Sequence, residues 1–372
     1  MQPSPRVPAR ALTVWLPVAV ALVFAWWLSL QDAHADLRVF YDAGKSVLDG
    51  ESPYPDLGTA EVYSEHAFVY PIAAVLPFVP LALLPWGLAK FVFYALSAAA
   101  VVYAVRLTGA RAAAPYLAVF LSASFVRSAQ LGTLNALLLA GLLVAWHYRE
   151  HVAPLVAILT AVIVPKLFLV PLLGWPFVLR RWKATALACA AIGAILLAGF
   201  AVGPLSAGDY GQLLGELSGR LAQKGWGPYR LLLDAGGSAT VARAGAWAIA
   251  GAILTASYGW YLRHRAEVVL FSGAIVAAIL ASPIVWTHYY LLMFAPLLVA
   301  RLRARWLVGF AVVTWIFSPP MGTGAVARTL LSPYDSNTPR AAILVAMLLA
   351  SWVLVLVMTR APVPERELQP QT

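Results

Sequence analysis

The chain has 372 residues, of which 62% are hydrophobic and only 11% are charged. Soluble domains carry about 25% charged residues, so this composition excludes a soluble globular protein and indicates a polytopic membrane protein. The formal net charge of +10 would also suit a nucleic-acid-binding protein, but the basic residues occur in short clusters between apolar runs. Such clusters are typical of membrane orientation, so we expect membrane lipids and no nucleic acid as partners.

The first predicted element is an apolar run over residues 11–30, which is long enough to cross a bilayer as a helix. The sequence Ala33-His34-Ala35 resembles a signal-peptide cleavage site, but the length of the run and the tryptophans near its outer end favour a retained anchor. Arg6 and Arg10 precede this run, so we expect the N-terminus to lie in the cytoplasm.

The following segment, residues 31–67, is rich in carboxylates that the rest of this apolar chain nearly excludes. It holds half of the 16 acidic residues: Asp32, Asp36, Asp42, Asp49, Glu51, Asp56, Glu61 and Glu65. We interpret it as a catalytic loop on the outer face of the membrane. Apolar residues at intervals of three and four predict a short amphipathic helix from Leu37 to Leu48 along the membrane surface. Asp36 is suited to cap its start, and Gly50 its end.

The rest of the chain predicts one domain of about twelve membrane-spanning helices over residues 1–372, with both termini in the cytoplasm. Residues 112–147 predict either two short helices or a loop that dips into the membrane. We expect further outer loops at 203–244 and 319–340. The other predicted spans are 68–84, 86–107, 152–179 (interrupted at Pro165-Lys166), 184–202, 245–262, 267–281, 284–300, 306–318 and 341–359.

Five stretches in a fixed order resemble family 87 of the GT-C glycosyltransferases. They are ADLRVFYDAGKSVLDGESPYP, FVYPIAAVLPFVPLALLP, QLGTLN, PKLFLVPLLGWPFVLRRW and SPIVWTHYYLLMFAPL. The sequence departs from the family pattern at Ile72, where a second proline is common, and in the longer QLGTLN. The resemblance implies an all-α GT-C-type helical bundle. The family includes polyprenol-phosphate-mannose-dependent α-mannosyltransferases and related actinobacterial arabinofuranosyltransferases.

The resemblance also implies the reaction. We expect an inverting transfer of mannose from a polyprenyl-phosphate donor to a lipid or polysaccharide acceptor at the outer face of the plasma membrane. Arabinose on the same lipid is the nearest alternative. A lipid-linked sugar flippase is an alternative of another class, although a transporter should show related halves that this sequence lacks. We expect no cofactor and no metal, because the acidic loop lacks an Asp-x-Asp pair and the histidines are scattered.

The resemblance makes Asp36 the expected catalytic base, because GT-C enzymes place a loop aspartate just outside the first span. The alternative from the residues alone is that Asp36 only caps a helix. Asp32 and Asp42 are the second choices. His288 matches the family position after Ser-Pro, and we expect it to bind or protonate the leaving phosphate; the alternative is a packing role.

The remaining candidates are polar residues within apolar surroundings. Lys166 lies inside an apolar run, where a charge is costly enough to suggest binding of a lipid-linked phosphate. The alternative is that its stem reaches an interface. Further candidate substrate-binding residues are Arg127, Gln130, Asn135, Tyr54 and Tyr70, although the tyrosines also suit an interfacial aromatic belt.

Overall fold

The computed structural model describes residues 7–30, 34–64, 67–221, 224–317 and 337–360, and all secondary structure within these ranges is helical. This confirms the all-α fold class. Asp32 and most of the predicted outer loop 319–340 lie outside the described residues. Among the described helices, four are long and apolar enough to cross a membrane: Trp86–Leu107, Trp182–Val202, Ala239–His264 and Ala341–Met358. The expected number of about twelve spans is not confirmed.

The helices are named in chain order. The α-helices are α1 (Val7–Ser29), α2 (Ala35–Asp49), α3 (Val79–Ala82), α4 (Trp86–Leu107), α5 (Ala113–Phe120), α6 (Ala123–Leu131), α7 (Asn135–His147), α8 (Val152–Ile163), α9 (Gly174–Val178), α10 (Trp182–Val202), α11 (Ala207–Leu221), α12 (Pro228–Asp234), α13 (Ala239–His264), α14 (Glu267–Ala281), α15 (Phe294–Val299), α16 (Ala304–Phe317) and α17 (Asn337–Met358). The 3₁₀ helices are η1 (Ala60–Tyr63), η2 (Ile72–Phe78), η3 (Leu167–Leu173) and η4 (Thr287–Met293).

Helix α14 lies at the centre of the bundle. It is apolar on all sides, and every residue from Val269 to Leu280 is buried, as expected of a helix surrounded by other helices. It packs against α13, α17 and η3. By contrast, the outer helices α4, α10 and α13 expose large apolar side chains such as Phe91, Leu197 and Trp247, the surface that a lipid environment requires.

Glu267, the first residue of α14, joins this helix to α9 and to the start of α10 through a charged cluster. The Glu267 carboxylate accepts hydrogen bonds from Arg181 at 2.7 Å, Arg149 at 3.3 Å and the indole nitrogen of Trp175 at 3.0 Å. The Glu267 and Arg181 side chains are only 20% and 17% exposed, so solvent screens this pair less than a surface pair. The cluster fixes the position of α14 relative to α9 and α10.

Three helical segments begin as 3₁₀ helices and continue as short α-helices: η2 with α3, η3 with α9, and η4 with α15. Pro77 lies inside η2 and Pro171 inside η3, and each removes a backbone donor that a regular α-helix would use. The predicted spans 68–84, 152–179 and 284–300 are therefore shorter or more interrupted than expected. The break predicted at Pro165-Lys166 is confirmed, since α8 ends at Ile163 and η3 starts at Leu167.

Residues 112–147 form three helices, α5 to α7, so the prediction of two short helices or a dipping loop is wrong. Ser122 starts α6, because its hydroxyl accepts a hydrogen bond from the Phe125 amide. Gly132 ends α6 with a φ of +70°, a left-handed conformation that glycine adopts without steric penalty. The two breaks arise from these terminal residues rather than from a change in hydrophobicity.

Candidate active site

Asp36 lies in the first turn of α2, the helix predicted from Leu37 to Leu48 and confirmed over Ala35–Asp49. Gly50 ends this helix as expected, with a φ of +75°. The N-cap prediction is wrong, because the residue that precedes the helix is His34 and not Asp36. The partial positive charge of a helix N-terminus still favours a carboxylate at the position of Asp36.

The Asp36 carboxylate lies near two cations. It interacts electrostatically with Lys166 and with Arg127, and it makes no hydrogen bond to another described residue. Burial raises the pKa of the Asp36 carboxyl above its usual value, and the two positive charges lower it by a smaller amount. The carboxylate is therefore more basic than that of an ordinary aspartate, in a residue that as a whole is only partly buried.

Lys166 occupies the break between α8 and η3, and its side chain is buried. Its ammonium donates a hydrogen bond to the Tyr70 hydroxyl at 3.1 Å and lies 4.6 Å from the Tyr70 ring centroid. The ring of Tyr289 lies 5.4 Å away on another side. The ammonium thus contacts aromatic groups inside the protein rather than reaching an exposed interface.

Tyr70 is held in place by its neighbours. Its ring stacks on Phe40 of α2 at a centroid distance of 4.7 Å, which links the Lys166 partner to the helix that carries Asp36. The Tyr54 hydroxyl donates to the Tyr70 carbonyl at 2.9 Å, and the Tyr210 hydroxyl donates to the Val69 carbonyl at 3.3 Å. Tyr54 therefore supports the backbone of Tyr70 with its hydroxyl. Burial raises the Tyr54 pKa, which keeps that hydroxyl protonated as a donor.

His288 lies in η4 and is buried. Its ring contacts Tyr289 at a centroid distance of 5.1 Å, and Tyr289 in turn stacks on Phe168 beside Lys166. His288 interacts electrostatically with Lys166 and Arg127, while its Nε2 atom has no hydrogen-bond partner among the described residues. The histidine thus belongs to the same polar cluster.

The sequence QLGTLN forms the junction between α6 and α7, near this cluster. Arg127 and Gln130 are on α6, which is joined to η4 by a hydrogen bond from Ser124 to the Thr287 carbonyl at 3.4 Å. Gln130 and Asn135 are fully buried. The amide oxygen and nitrogen of Asn135 have no partner among the described residues, and no contact brings Asn135 to Asp36 or Lys166. Its role as a substrate-binding residue stays a prediction.

Gly132 brings α6 unusually close to α2. A Cβ atom at this position would lie 2.4 Å from the Cβ of Leu37, the residue next to Asp36. The glycine is therefore needed both for its left-handed backbone and for the space that Leu37 occupies. This contact sets the distance between Asp36 and the helix that carries Arg127.

Asp42, a second choice for the base, forms a salt bridge with Arg38 at 2.7 Å, and both side chains are more than 40% exposed. Asp42 lies six residues, or about 1.7 turns, after Asp36 along α2. Asp32, the other second choice, lies outside the described residues. No group of three or more His, Cys, Asp or Glu side chains that would suit a metal ion occurs in the described part of the chain.

Three residues of the site were missed by sequence reasoning. Tyr289 lies in the stretch SPIVWTHYYLLMFAPL, but no feature of the sequence marked it as a partner of Lys166. His34 and Tyr94 were not singled out, although Nδ1 of His34 lies 2.8 Å from the Tyr94 hydroxyl. The sequence signal that could have identified His34 is its position directly before a helix with an acidic residue in its first turn.

Comparison with known proteins connects this geometry to a family. The sequence pattern of glycosyltransferase family 87 matches residues 68–283, a stretch that contains Tyr70, Arg127 and Lys166 but neither Asp36 nor His288. Comparisons with curated proteins and with solved structures gave no significant match. Since the matched stretch covers more than half of the chain, the protein belongs to glycosyltransferase family 87 and is a membrane glycosyltransferase.

Proposed function

We propose that the protein transfers mannose from a polyprenyl-phosphate donor to a lipid or polysaccharide acceptor on the outer face of the plasma membrane. The observation that carries this proposal is the placement of Asp36, whose carboxylate is more basic than usual, beside the cations Lys166 and Arg127. A base for the acceptor and positive charge for the leaving group are the two features that such a transfer requires.

The acceptor hydroxyl attacks the anomeric carbon of the donor sugar, and Asp36 takes the proton of that hydroxyl. A new bond forms between the acceptor oxygen and the anomeric carbon, while the bond from that carbon to the phosphate oxygen breaks on the opposite face. The sugar configuration is inverted, and the lipid phosphate leaves with the electron pair. Inverting glycosidases use a carboxylate base in the same way on a water molecule.

The positive charges at the site stabilise the departing phosphate. Lys166 is buried against Tyr70 and Tyr289 and forms no ion pair with a described carboxylate, so its charge remains available to an anion. Fixed cations in a site that excludes water stabilise developing negative charge more strongly than the same cations in water. His288 lies within the field of these cations and is suited to contact the phosphate through Nε2.

The proposed function is tested by product analysis of the purified protein. Polyprenyl-phosphate mannose and polyprenyl-phosphate arabinose are supplied separately with membrane lipid extract, and products are separated by thin-layer chromatography and identified by mass spectrometry. Glycolipid formed only from the mannose donor supports the proposal. Product formed only from the arabinose donor would replace mannose by arabinose, because both donors present the same phosphate to Lys166.

The flippase alternative is distinguished in detergent. A transferase releases polyprenyl phosphate from its donor in detergent micelles, whereas a flippase has a measurable activity only across a sealed bilayer. Release of polyprenyl phosphate that requires the acceptor supports transfer. Donor movement across vesicles without any release would favour the flippase.

A further inference from the structure

We infer that His34 and Tyr94 act as a positioning pair, which holds Asp36 in its reactive place against α6 without touching substrate. The inference rests on the proposed function, because it takes Asp36 as the base. Its structural basis is a chain of two hydrogen bonds that runs from the residue before α2 to the backbone of α6.

The backbone of His34 is the first observation. Its φ of 52° and ψ of 42° place it in the left-handed region, which a residue with a side chain adopts at a cost of about 1 kcal/mol. Glycine would fit this conformation without that cost. The side chain of His34 makes no capping bond to α2, so helix capping does not explain the histidine. The reason must therefore lie in what its ring contacts.

The ring of His34 is buried and hydrogen-bonded to Tyr94 of α4, with Nδ1 2.8 Å from the hydroxyl oxygen. The Tyr94 hydroxyl itself donates a hydrogen bond to the backbone carbonyl of Ala129 in α6. The Ala129 carbonyl can only accept a hydrogen bond, and the Tyr94 hydroxyl has a single proton, so this proton points to Ala129. The His34 contact must then be an Nδ1–H group that donates to the Tyr94 oxygen. The direction of both bonds is thereby fixed.

Aromatic contacts hold the two rings in this arrangement. The His34 ring lies 5.6 Å from the Tyr94 centroid and 6.5 Å from the Trp86 centroid, and Trp26 of α1 packs edge-on to Tyr94 at 5.3 Å. Each ring contact restricts a side-chain torsion, so the hydrogen bonds join groups that have little freedom left to lose. The pair is a rigid connection rather than a flexible one.

Asp36 lies between two points at which α2 is fixed to α6. On one side, His34 is bound through Tyr94 to Ala129. On the other side, Leu37 contacts Gly132 so closely that no Cβ atom would fit between them. The base is thus one or two residues from each attachment, and both attachments end on the helix that carries Arg127. A displacement of about 1 Å at a reacting group can lower the rate by about 10²-fold.

The test compares His34→Gly, Tyr94→Phe and the double variant by steady-state kinetics and thermal unfolding. His34→Gly suits the left-handed backbone and removes only the ring, while Tyr94→Phe keeps the ring and removes both hydrogen bonds. We expect kcat, measured well below the Tm of each variant, to fall about 10- to 100-fold, with the donor KM within about twofold of wild type. Each Tm should fall as well, because His34→Gly removes a buried ring and Tyr94→Phe leaves buried polar groups unpaired. The double variant should lose no more than the worse single variant, because both break the same connection.

The matched control is Tyr41→Phe. Tyr41 is a buried tyrosine of α2 whose hydroxyl likewise donates to a backbone carbonyl, that of Leu84, at 2.7 Å. This bond does not lead to α6, so we expect wild-type kcat. Wild-type kcat in both His34→Gly and Tyr94→Phe would overturn the inference, as would losses that multiply in the double variant. A kcat that returns to the wild-type value at a lower assay temperature in both variants would also overturn it, because the loss would then come from unfolding alone. Full activity of Asp36→Asn would instead refute the proposed base.

Discussion

At the scale of single residues, Asp36 is the group whose chemistry is most directly testable. Replacing it with Asn keeps the shape of the side chain and deletes the charge that a base requires. We expect turnover to fall by about 10² to 10⁴, the usual range for positioned proton transfer. Asp36 is not the N-cap, and the cost of burying its charge offsets the attraction of the helix dipole, Lys166 and Arg127, so we expect Tm to stay close to that of wild type. Turnover and Tm of purified Asp36→Asn measure the two effects separately.

The pH dependence of turnover should report the environment of the same carboxyl. Because burial raises the pKa of Asp36, we expect the acid limb of kcat/KM to have its midpoint above the ordinary aspartate value of 3.8. Activity should rise with pH through this midpoint, since only the ionised form accepts a proton. Lys166→Met removes a charge that lowers this pKa, so the limb should move to higher pH and use of the donor should weaken.

Lys45→Met is the matched control for Lys166→Met, because Lys45 is an exposed lysine on α2 that lies above the Tyr41 ring at 5.0 Å. Solvent screens its charge, so we expect an unchanged pH profile. An unchanged acid limb in Lys166→Met would show that its ammonium does not influence Asp36. Unchanged donor kinetics in the same protein would remove Lys166 from phosphate binding.

At the scale of elements, the contact between α6 and α2 sets the geometry of the site. We expect Gly132→Ala to lower both activity and Tm strongly, because it combines a left-handed backbone with a Cβ atom 2.4 Å from Leu37. Gly50→Ala is the control, since Gly50 has a φ of +75° at the end of α2 and open space around it. That variant should lose only the backbone term, about 1 to 2 kcal/mol of unfolding free energy. Equal effects of the two substitutions would contradict the importance of the contact.

The elements also show what the sequence determines locally. Helix α4 begins and ends where hydropathy placed it, at residues 86–107, and α2 was visible from the spacing of its apolar residues. Both have a local signal, either an uninterrupted apolar run or an apolar face. The 3₁₀ helices η2, η3 and η4 have no such local signal, because hydropathy does not distinguish a 3₁₀ helix from an α-helix. The division of 112–147 into three helices depended on Ser122 and Gly132 within a uniformly apolar region.

The site itself was predictable as a set of residues and not as an arrangement. The family resemblance singled out Asp36 and His288, and the rarity of charge within an apolar run singled out Lys166. The structure brings all three into one electrostatic cluster. Their proximity joins residues far apart in sequence, which only the packing of the helices determines. The left-handed His34 and its bond to Tyr94 depend on that same packing.

At the scale of the whole molecule, the Glu267 cluster should contribute more to stability than a surface ion pair. We expect Glu267→Gln to lower the unfolding free energy by roughly 1 to 3 kcal/mol, because Arg181 and Arg149 then keep only the largely exposed Glu150 as an anionic partner. Asp42→Asn breaks the exposed Arg38 pair and should change stability by about 0.5 kcal/mol or less. Chemical denaturation in mild detergent compares the two, and equal effects would make the Glu267 cluster equivalent to a surface pair.

The orientation in the membrane is a prediction that labelling can test. The basic clusters predict residues 31–67 on the outer face and the segment around Lys183 in the cytoplasm. Cys189 is exposed on α10, so it must first be replaced by serine. A membrane-impermeant thiol reagent added to intact cells should then modify a cysteine introduced at Ser52 and spare one introduced at Lys183, both of which are exposed positions. The opposite labelling pattern would invert the topology.

The short helical segments described above have a consequence for biogenesis. The segment Ile72–Ala82 rises only about 20 Å, at about 2.0 Å per residue in η2 and 1.5 Å per residue in α3, which is about two-thirds of a 30 Å hydrocarbon core. We therefore expect that the translocon does not insert it as an independent span. This segment must stay at the translocon until later helices pack around its backbone. The segment that carries His288 and Tyr289 is synthesised only after three-quarters of the chain has been made. A nascent chain therefore presents its acidic loop long before it contains a complete site, and the enzyme becomes active only near the end of its own synthesis.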